Sequence, residues 1–459
     1  MDNQTNWMLQ RIRQFGDKNV FICGEQHTTY LELFEKICQW QQRLSTIGIK
    51  PGDVVAVIGD FTPDAAALLI CLLANDNIVV PLTVETQPKH PRFFELAAVN
   101  WCLQIDEQDG QWHHQKVDAG DVHAIIGDLQ TEKTAGLVLF TSGTSGESKG
   151  AVLKATSLMQ RFKEMKVNAD KALRCIVFLK LDHIGGLNTL FSIVFSGGTA
   201  VSIKDRTPAT VCQAIARHKV ELLPTTPTFL NMMLLSGILQ EHDVSSLKVI
   251  TYGTEPMPMS TLKAVNQTFP SVKLKQTYGL TELGIFSTRS KDDASDWMEI
   301  GGEGVQTRVV EGILQIKTPS SMLGYLNAPS PFTEDGFYDT GDRVEVEGDY
   351  YRILGRDSEI INVGGEKVYP SEVESVLLEM SNVNEVLVNG KKSPVMGEIV
   401  CATFVLNEEE SRADLANRVK TFCQSKLEAF KIPKMIMISD TSFVSDRLKK
   451  ARNQSPQQV

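Results

Sequence analysis

The sequence has no C-x-x-C pair, no long uncharged apolar run, no Walker-type phosphate loop, no internal repeat and no excess of positive charge. Each absence removes a class of function. The eight cysteines, Cys23, Cys38, Cys71, Cys102, Cys175, Cys212, Cys401 and Cys423, lie far apart. That spacing disfavours a metal or disulfide framework and reads as scattered thiols in a reducing compartment. Asp and Glu number 56 against 46 Lys and Arg, a formal net charge of −10. Nucleic-acid binders carry the opposite imbalance, so small-molecule or protein partners are expected and nucleic acid is not. No apolar run is long enough to span a bilayer, and the first residues, MDNQTNWMLQRIRQ, lack the apolar core and cleavage site of a signal peptide. The expected address is the cytoplasm. No Ser/His/Asp or Cys/His constellation stands out either, so covalent catalysis by a side chain is not indicated.

What is present is a soluble globular balance, 42% hydrophobic and 22% charged over 459 residues, too long for one ordinary core. The stretch TTYLELFEKICQWQQRLSTIGIKPGD has a capping threonine, apolar Leu33, Phe34, Ile37, Leu44 and Ile47, and a Gly/Pro stop. It predicts an amphipathic helix. VVAVIGD, DAAALLICLLA and NIVVPL then read as strand, buried helix and strand, and the rhythm returns at LVLF, CIVFLKL, TAVSI and LKVITYG. Such alternation implies βαβ units, hence an α/β fold: a large layered N-terminal body with mainly parallel sheets over residues 1–356. From residue 357 the pattern shortens to a small α+β C-terminal domain, 357–459. Glu408, Glu409 and Glu410 read as a solvated turn and the last residues, NQSPQQV, as disordered.

Three segments carry chemistry. In LVLFTSGTSGESKG a buried strand ends at Phe140 and runs into Thr141, Ser142, Gly143, Thr144, Ser145, Gly146, Lys149 and Gly150. Glycines let backbone approach an anion, hydroxyls and amides donate to it, and lysine adds charge. A flexible Gly/Ser linker rarely follows a buried strand or ends in Lys-Gly. Lys149 lies between Ser148 and Gly150, whereas a Walker loop needs Gly before its Lys and Ser or Thr after it. QTYGLTE offers Gln276, an aromatic plane in Tyr278, Gly279, the Thr281 hydroxyl and the Glu282 carboxylate, suited to a base, a phosphate and magnesium. In the third segment Asp342 and Arg356 flank a hairpin-like stretch. They suit a ribose and a phosphate, or equally one surface ion pair.

In order and together these segments, with GIKPGDVV, YGTEPMP, GYLN, YDTGD and GGEKVYPSEVE, resemble the adenylate-forming superfamily of acyl- and aryl-CoA synthetases, adenylation domains and luciferases. The resemblance covers nearly the whole chain. It implies a large body with a small domain that rotates between two half-reactions, using ATP and Mg2+. An acid would become acyl-AMP with loss of pyrophosphate, then pass to CoA or to phosphopantetheine on an acyl carrier protein. It implies that Thr141 to Lys149 bind the β- and γ-phosphates, and that Gly253, Thr254, Glu255 and Pro256 enclose adenine with Tyr278. Thr281 would touch the α-phosphate, Glu282 would hold magnesium, and Asp342 with Arg356 would grip ribose. The family's G-K-x-x-R pattern is matched by Leu448, Lys449, Ala451 and Arg452, making Lys449 the catalytic lysine and Lys450 its substitute. The acyl pocket would use His183, Gly186, Gly279 and Leu280.

Two positions depart from the family: Leu448 replaces a glycine and Ser358 replaces the usual hinge Asp or Lys. These motivate the alternatives, a nucleotide-binding homologue without turnover or a ligase that stops at the adenylate or forms an amide. His183 stands where amino-acid-activating relatives place aspartate, which disfavours a simple α-amino acid, although neighbouring Asp182 leaves the register open. Taken alone, such a histidine is as readily structural as a pocket wall. Met257 and Met259 read as packing residues. The particular acid and the choice of thiol stay open.

Overall fold

The computed structural model describes residues 6–106, 111–118, 120–142, 147–292, 295–393, 396–445 and 450, with Ser142 as backbone only. The expected long helix spans Tyr30–Ile47 and begins at Thr29, whose Oγ1 accepts from Glu32 N while the Glu32 carboxylate accepts from Thr29 N at 2.7 Å. This reciprocal cap satisfies donors that the first turn leaves open. The helix stops at Gly48, φ +89°, a conformation that costs glycine nothing.

Two seven-stranded sheets form the body. In the first, five strands run parallel beside Asn19–Cys23: Lys273–Gln276, Val249–Tyr252, Leu222–Thr225, Arg174–Ile176 and Thr199–Ser202. In the second, Gly136–Ser142, Ile78–Leu82, Val54–Ile58 and Trp101–Ile105 are parallel, with antiparallel strands at both edges. Helix Pro63–Ala74 is buried at every position from Ala65 to Ala74, as a helix clasped between layers must be. One continuous core joins it to residues of both sheets.

A third sheet departs from the mainly parallel pattern. Residues 287–356 form six strands, all antiparallel, in the spatial order Ser287–Ser290, Met298–Gly301, Tyr350–Arg356, Tyr338–Glu347, Ile313–Lys317 and Gln306–Val310. Short turns at Gly312 and Gly348, both at positive φ, join consecutive strands too closely for crossover helices.

After a single 3-10 turn at Asp357–Glu359, residues from Ile361 to Ile436 build a hydrophobic core of their own around a five-stranded sheet and the helices Pro370–Leu377 and Arg412–Cys423. Helix Pro370–Leu377 touches the body, where Met259 N donates to Ser375 Oγ at 3.1 Å. The Glu408–Glu410 turn is braced: Glu410 pairs with Arg418 at 2.8 Å. The terminal NQSPQQV lies outside the described residues. None of the described helices is long and apolar enough to cross a membrane.

Candidate active site

Parallel strands deliver their loops at their C-terminal ends, where open α/β sheets bind ligands. Strands Val249–Tyr252 and Lys273–Gln276 end in register, Tyr252 beside Gln276. Thr277 N donates to Tyr252 O at 2.7 Å, which lays Gly253–Pro256 against Thr277–Glu282. The approach is so close that a Cβ at Gly253 would lie 2.5 Å from the Thr277 carbonyl oxygen. Thr254 adopts φ +75°, a strained choice for a β-branched residue and one that clusters at functional sites. Glu255 accepts from Thr228 Oγ1 at 2.6 Å, tying in a third strand end.

Around this junction the site residues converge. The Tyr278 hydroxyl donates to Asp342 Oδ2 at 2.6 Å, and Arg356 Nε meets Asp342 Oδ1 at 2.8 Å across one rung of the antiparallel sheet. Arg356 also donates to the Thr340 carbonyl at 2.7 Å. Glu282 is buried, and its Oε1 accepts from the Tyr325 hydroxyl at 2.6 Å, with Tyr338 Oη a further 3.4 Å from Tyr325 Oη. Lys149 Nζ sits over the Tyr325 ring, 5.3 Å from its centre. Burial is the main cause that raises the pKa of Asp342; Arg356 and Tyr278 act against it, and Glu282 with it. Burial likewise lifts Tyr278 well above the usual phenol range, and Tyr325 and Tyr338 with it. All three phenols are therefore donors at neutral pH.

Strands Gly136–Ser142 and Ser148–Lys154, which flank the expected phosphate loop, pair antiparallel with Thr141 opposite Lys149. Asn327 pins the second strand, accepting from Gly150 N and donating to Ser148 O, both at 3.0 Å. Gly143, Thr144, Ser145 and Gly146 lie outside the described residues, as do Leu448 and Lys449. Lys450 ion-pairs with buried Glu374 at 2.8 Å, in a cavity of about 500 Å3 between the body and helix Pro370–Leu377 that Glu255 and Pro256 also line. Thr281 is half-buried beside Glu282, and Ser358 is exposed in the 3-10 turn. Gln276 is buried, and its Oε1 has no hydrogen-bond partner among the described residues.

His183 caps helix Ile184–Ser196, its Nδ1 accepting from Gly185 N at 3.0 Å. Gly186 has no room for a side chain: a Cβ would lie 2.8 Å from the Leu179 carbonyl and closer still to that of Lys180. Gly279–Leu280 pairs with Gly284–Ile285. An apolar cavity of about 410 Å3 lies against Ile184, Gly284 and Ile285, so it takes the immediate neighbours of His183 and the strand partners of Gly279 and Leu280 rather than those four residues. Tyr325, Tyr338 and Asn327 are the functional positions that sequence reasoning did not assign. Their only signal was their place in the GYLN and YDTGD segments.

Magnesium usually takes one or two carboxylates and fills its remaining positions with phosphate oxygens and water. The site fits that habit. Glu282 is a buried carboxylate among phenol donors and beside Lys149, and no group of three metal-ligating side chains occurs among the described residues.

With this geometry in place, the comparisons are direct. The family model described as AMP-binding enzyme matches residues 8–326, and that of the AMP-binding enzyme C-terminal domain matches residues 372–453. The chain belongs to this family, the adenylate-forming superfamily. Among its relatives are a 2-succinylbenzoate–CoA ligase of Bacillus licheniformis, 26% identical with 95% of this chain and 96% of the relative covered. An indoleacetate–CoA ligase of Aromatoleum aromaticum is 30% identical, with 95% and 94% covered. In fold it is similar to the crystal structure of an anthranilate CoA ligase in complex with anthranoyl-AMP, at a TM-score of 0.82 and 19% identity over 98% of this chain and 97% of that one.

Proposed function

We propose that this protein is an AMP-forming acid–thiol ligase: it joins a carboxylic acid to AMP, releases pyrophosphate, and passes the acyl group to the thiol of CoA or of a carrier protein's phosphopantetheine. One observation carries the reading. Segments separated by as much as two hundred residues bring Lys149, Tyr278, Glu282, Tyr325, Asp342 and Arg356 to one place, and family membership agrees with it.

In this reading Tyr278 and Gly253–Pro256 enclose adenine, and Asp342 with Arg356 holds ribose. Thr141 to Lys149 take the β- and γ-phosphates, and Thr281 touches the α-phosphate. Glu282 would hold magnesium, which when bound neutralises phosphate charge. A carboxylate attacks phosphorus poorly because both are surrounded by negative charge, so fixed cations and donors aimed at the phosphates do most of the work. Lys149 supplies one such cation, and Lys449, brought by rotation of the C-terminal domain about Asp357–Glu359, supplies another. An apolar acid is the natural substrate, and ATP and reduced thiols place the reaction in the cytoplasm.

A panel including 2-succinylbenzoate, indoleacetate, ferulate and aliphatic acids, assayed for pyrophosphate and then repeated with CoA and with holo carrier protein, tests this. Acid-dependent pyrophosphate and a thioester seen by mass spectrometry are expected. No pyrophosphate with any acid would overturn the assignment, and acyl-AMP without thioester would restrict it to the first half-reaction.

A further inference from the structure

Strand Ser148–Lys154 pairs on one edge with Gly136–Ser142 and on the other with the two-residue strand Gly324–Tyr325. Alternate residues of a strand turn their amides and carbonyls to the same edge. On the Gly324–Tyr325 side, Leu323 N donates to Val152 O at 2.7 Å and Leu326 N to Gly150 O at 2.8 Å. The next rung needs an acceptor for Gly150 N and a donor for Ser148 O. The Asn327 side chain provides both: Oδ1 accepts from Gly150 N and Nδ2 donates to Ser148 O, each at 3.0 Å. A carboxamide carries a donor and an acceptor as a peptide unit does, so it continues the ladder where the short strand has ended.

Lys149 is the residue between the two groups so held. Its Nζ lies over the Tyr325 ring, 5.3 Å from the centre, and the Tyr325 hydroxyl donates to Glu282 Oε1 at 2.6 Å. Met322 N donates to the Glu282 carbonyl at 2.6 Å, and Ser320 Oγ to that of Leu283 at 2.7 Å. The segment from Ser320 to Asn327 therefore grips the Glu282 turn at one end and the backbone on both sides of Lys149 at the other. A lysine head on a flexible stem is aimed only as well as its backbone is held, because a ring contact alone is weak.

We propose that Asn327 is a positioning residue: by continuing the ladder on Ser148 and Gly150 it aims the Lys149 ammonium at the β- and γ-phosphates of ATP, beside the Glu282 carboxylate. This rests on the adenylation reading and deepens it, since Asn327 touches no ligand yet sets the grip on the part of ATP that leaves as pyrophosphate. AMP lacks those phosphates, and in that reading its recognition falls to Thr281, Tyr278 and Asp342. A residue acting through Lys149 must distinguish ATP from AMP, whereas one that only props the fold must not.

The purified full-length chain is titrated calorimetrically with ATP and magnesium, and separately with AMP by direct titration or displacement, with no acid present. Wild type, Asn327→Leu, Lys149→Met and the double variant are compared, with Tm recorded for each. Leucine keeps the branching of asparagine and drops both bonds. Asn327→Leu is expected to weaken ATP by at least ~10-fold, as the loss of one charge-assisted contact does, and AMP by less than ~3-fold. Added to Lys149→Met, it should weaken ATP by no more than a further ~3-fold, because two changes to one interaction do not add. If Asn327→Leu does not fold, Asn327→Ser, whose hydroxyl can meet one of the two groups, is read by the same pattern. Equal weakening of ATP and AMP, unchanged ATP binding, or full additivity with Lys149→Met would overturn the inference and leave the adenylation reading standing. A folded wild type that binds no ATP would end both.

Discussion

Asp342→Asn separates function from folding at the centre of the site. The carboxylate is 6% exposed and receives two donors, Tyr278 Oη at 2.6 Å and Arg356 Nε at 2.8 Å. Asparagine keeps the shape: its Oδ1 still accepts from Arg356 and its amide can donate to the Tyr278 oxygen. Arg356 loses its counter-ion, but 45% of its side chain faces solvent, so water takes over much of that charge. The raised pKa of Asp342 says that burial costs the anion more than Arg356 and Tyr278 return. The substitution should therefore change stability by no more than ~1 kcal/mol.

Binding responds differently. A ribose hydroxyl on a carboxylate is a charge-assisted bond of ~1.5–3 kcal/mol, and its loss should raise KM for ATP by ~10- to 150-fold. Pyrophosphate release across an ATP titration, with thermal unfolding of the same sample, reads both. A KM shift under ~3-fold, set against the ~10-fold that 1.4 kcal/mol confers, or a large drop in Tm, would refute the reasoning. The pH dependence has a definite sign. A carboxyl whose folded pKa lies above its ordinary 3.8 contributes stability that is complete below 3.8 and is lost as pH rises through the folded value. Asp342→Asn should flatten the stability profile across that interval.

Five other outcomes follow. Gly253→Ala would press a Cβ to 2.5 Å from the Thr277 carbonyl, parting the two strand-end loops, so Tm and pyrophosphate release should fall together. Glu282→Gln keeps the Tyr325 bond but loses the charge; the magnesium needed for half-maximal rate should rise by at least ~10-fold, the effect of losing even a supporting contact. Lys450→Ala would remove the cation paired with the Glu374 carboxylate, whose side chain is 3% exposed, leaving it the Val388 amide at 2.9 Å, and should cost ~1–3 kcal/mol in denaturant melts. Lys449→Ala should instead abolish acid-dependent pyrophosphate release at unchanged Tm; retained release would remove Lys449 from the mechanism. Burial pushes Cys71 up to about 12 and Cys212 up to about 11, so a thiol reagent at neutral pH should leave both unlabelled until the chain unfolds.

The local patterns that sequence carries well are those set by periodicity and termination. Helix Tyr30–Ile47 was legible because Thr29, its apolar stripe and Gly48 agree. The strand Gly136–Ser142 was legible because a β-rich apolar run ends abruptly in Gly, Ser and Thr, whereas its antiparallel partner Ser148–Lys154 was not anticipated. Asp342 and Arg356 were left as site or surface pair, and only strand register settled that they touch, since Asp342 opposite Arg356 depends on a ladder with an irregularity at Arg343 and Val344. The antiparallel sheet of residues 287–356 was not anticipated beyond the hairpin-like stretch between Asp342 and Arg356: four of its six strands have only four or five residues, and Tyr338–Glu347 alone shows a sustained in–out alternation. Asn327, 177 residues from the glycine whose amide it receives, has no local signature.

The charges in the body also say what must arrive for the reaction to proceed. Arg356 pairs with Asp342, and Lys149 lies over the ring of Tyr325, the partner of Glu282, two cations and two anions, so these four side chains alone offer a triphosphate no net attraction. The preorganised donors, Tyr325 and Tyr338 among them, are neutral. Cancelling the repulsion between an acid oxygen and the innermost phosphate therefore depends on charge that the body does not hold. In the proposed reading a divalent cation held by Glu282 would supply part of it and Lys449 of the C-terminal domain the rest. In that reading chemistry is tied to a domain that meets the body at contacts such as Met259 with Ser375, with the exposed turn containing Ser358 as the proposed hinge between them. On this argument Ser358→Pro should slow turnover while leaving ATP affinity near the wild-type value, because the residues proposed to bind nucleotide all precede the turn. Equal losses in both would place the rate limit inside the body instead.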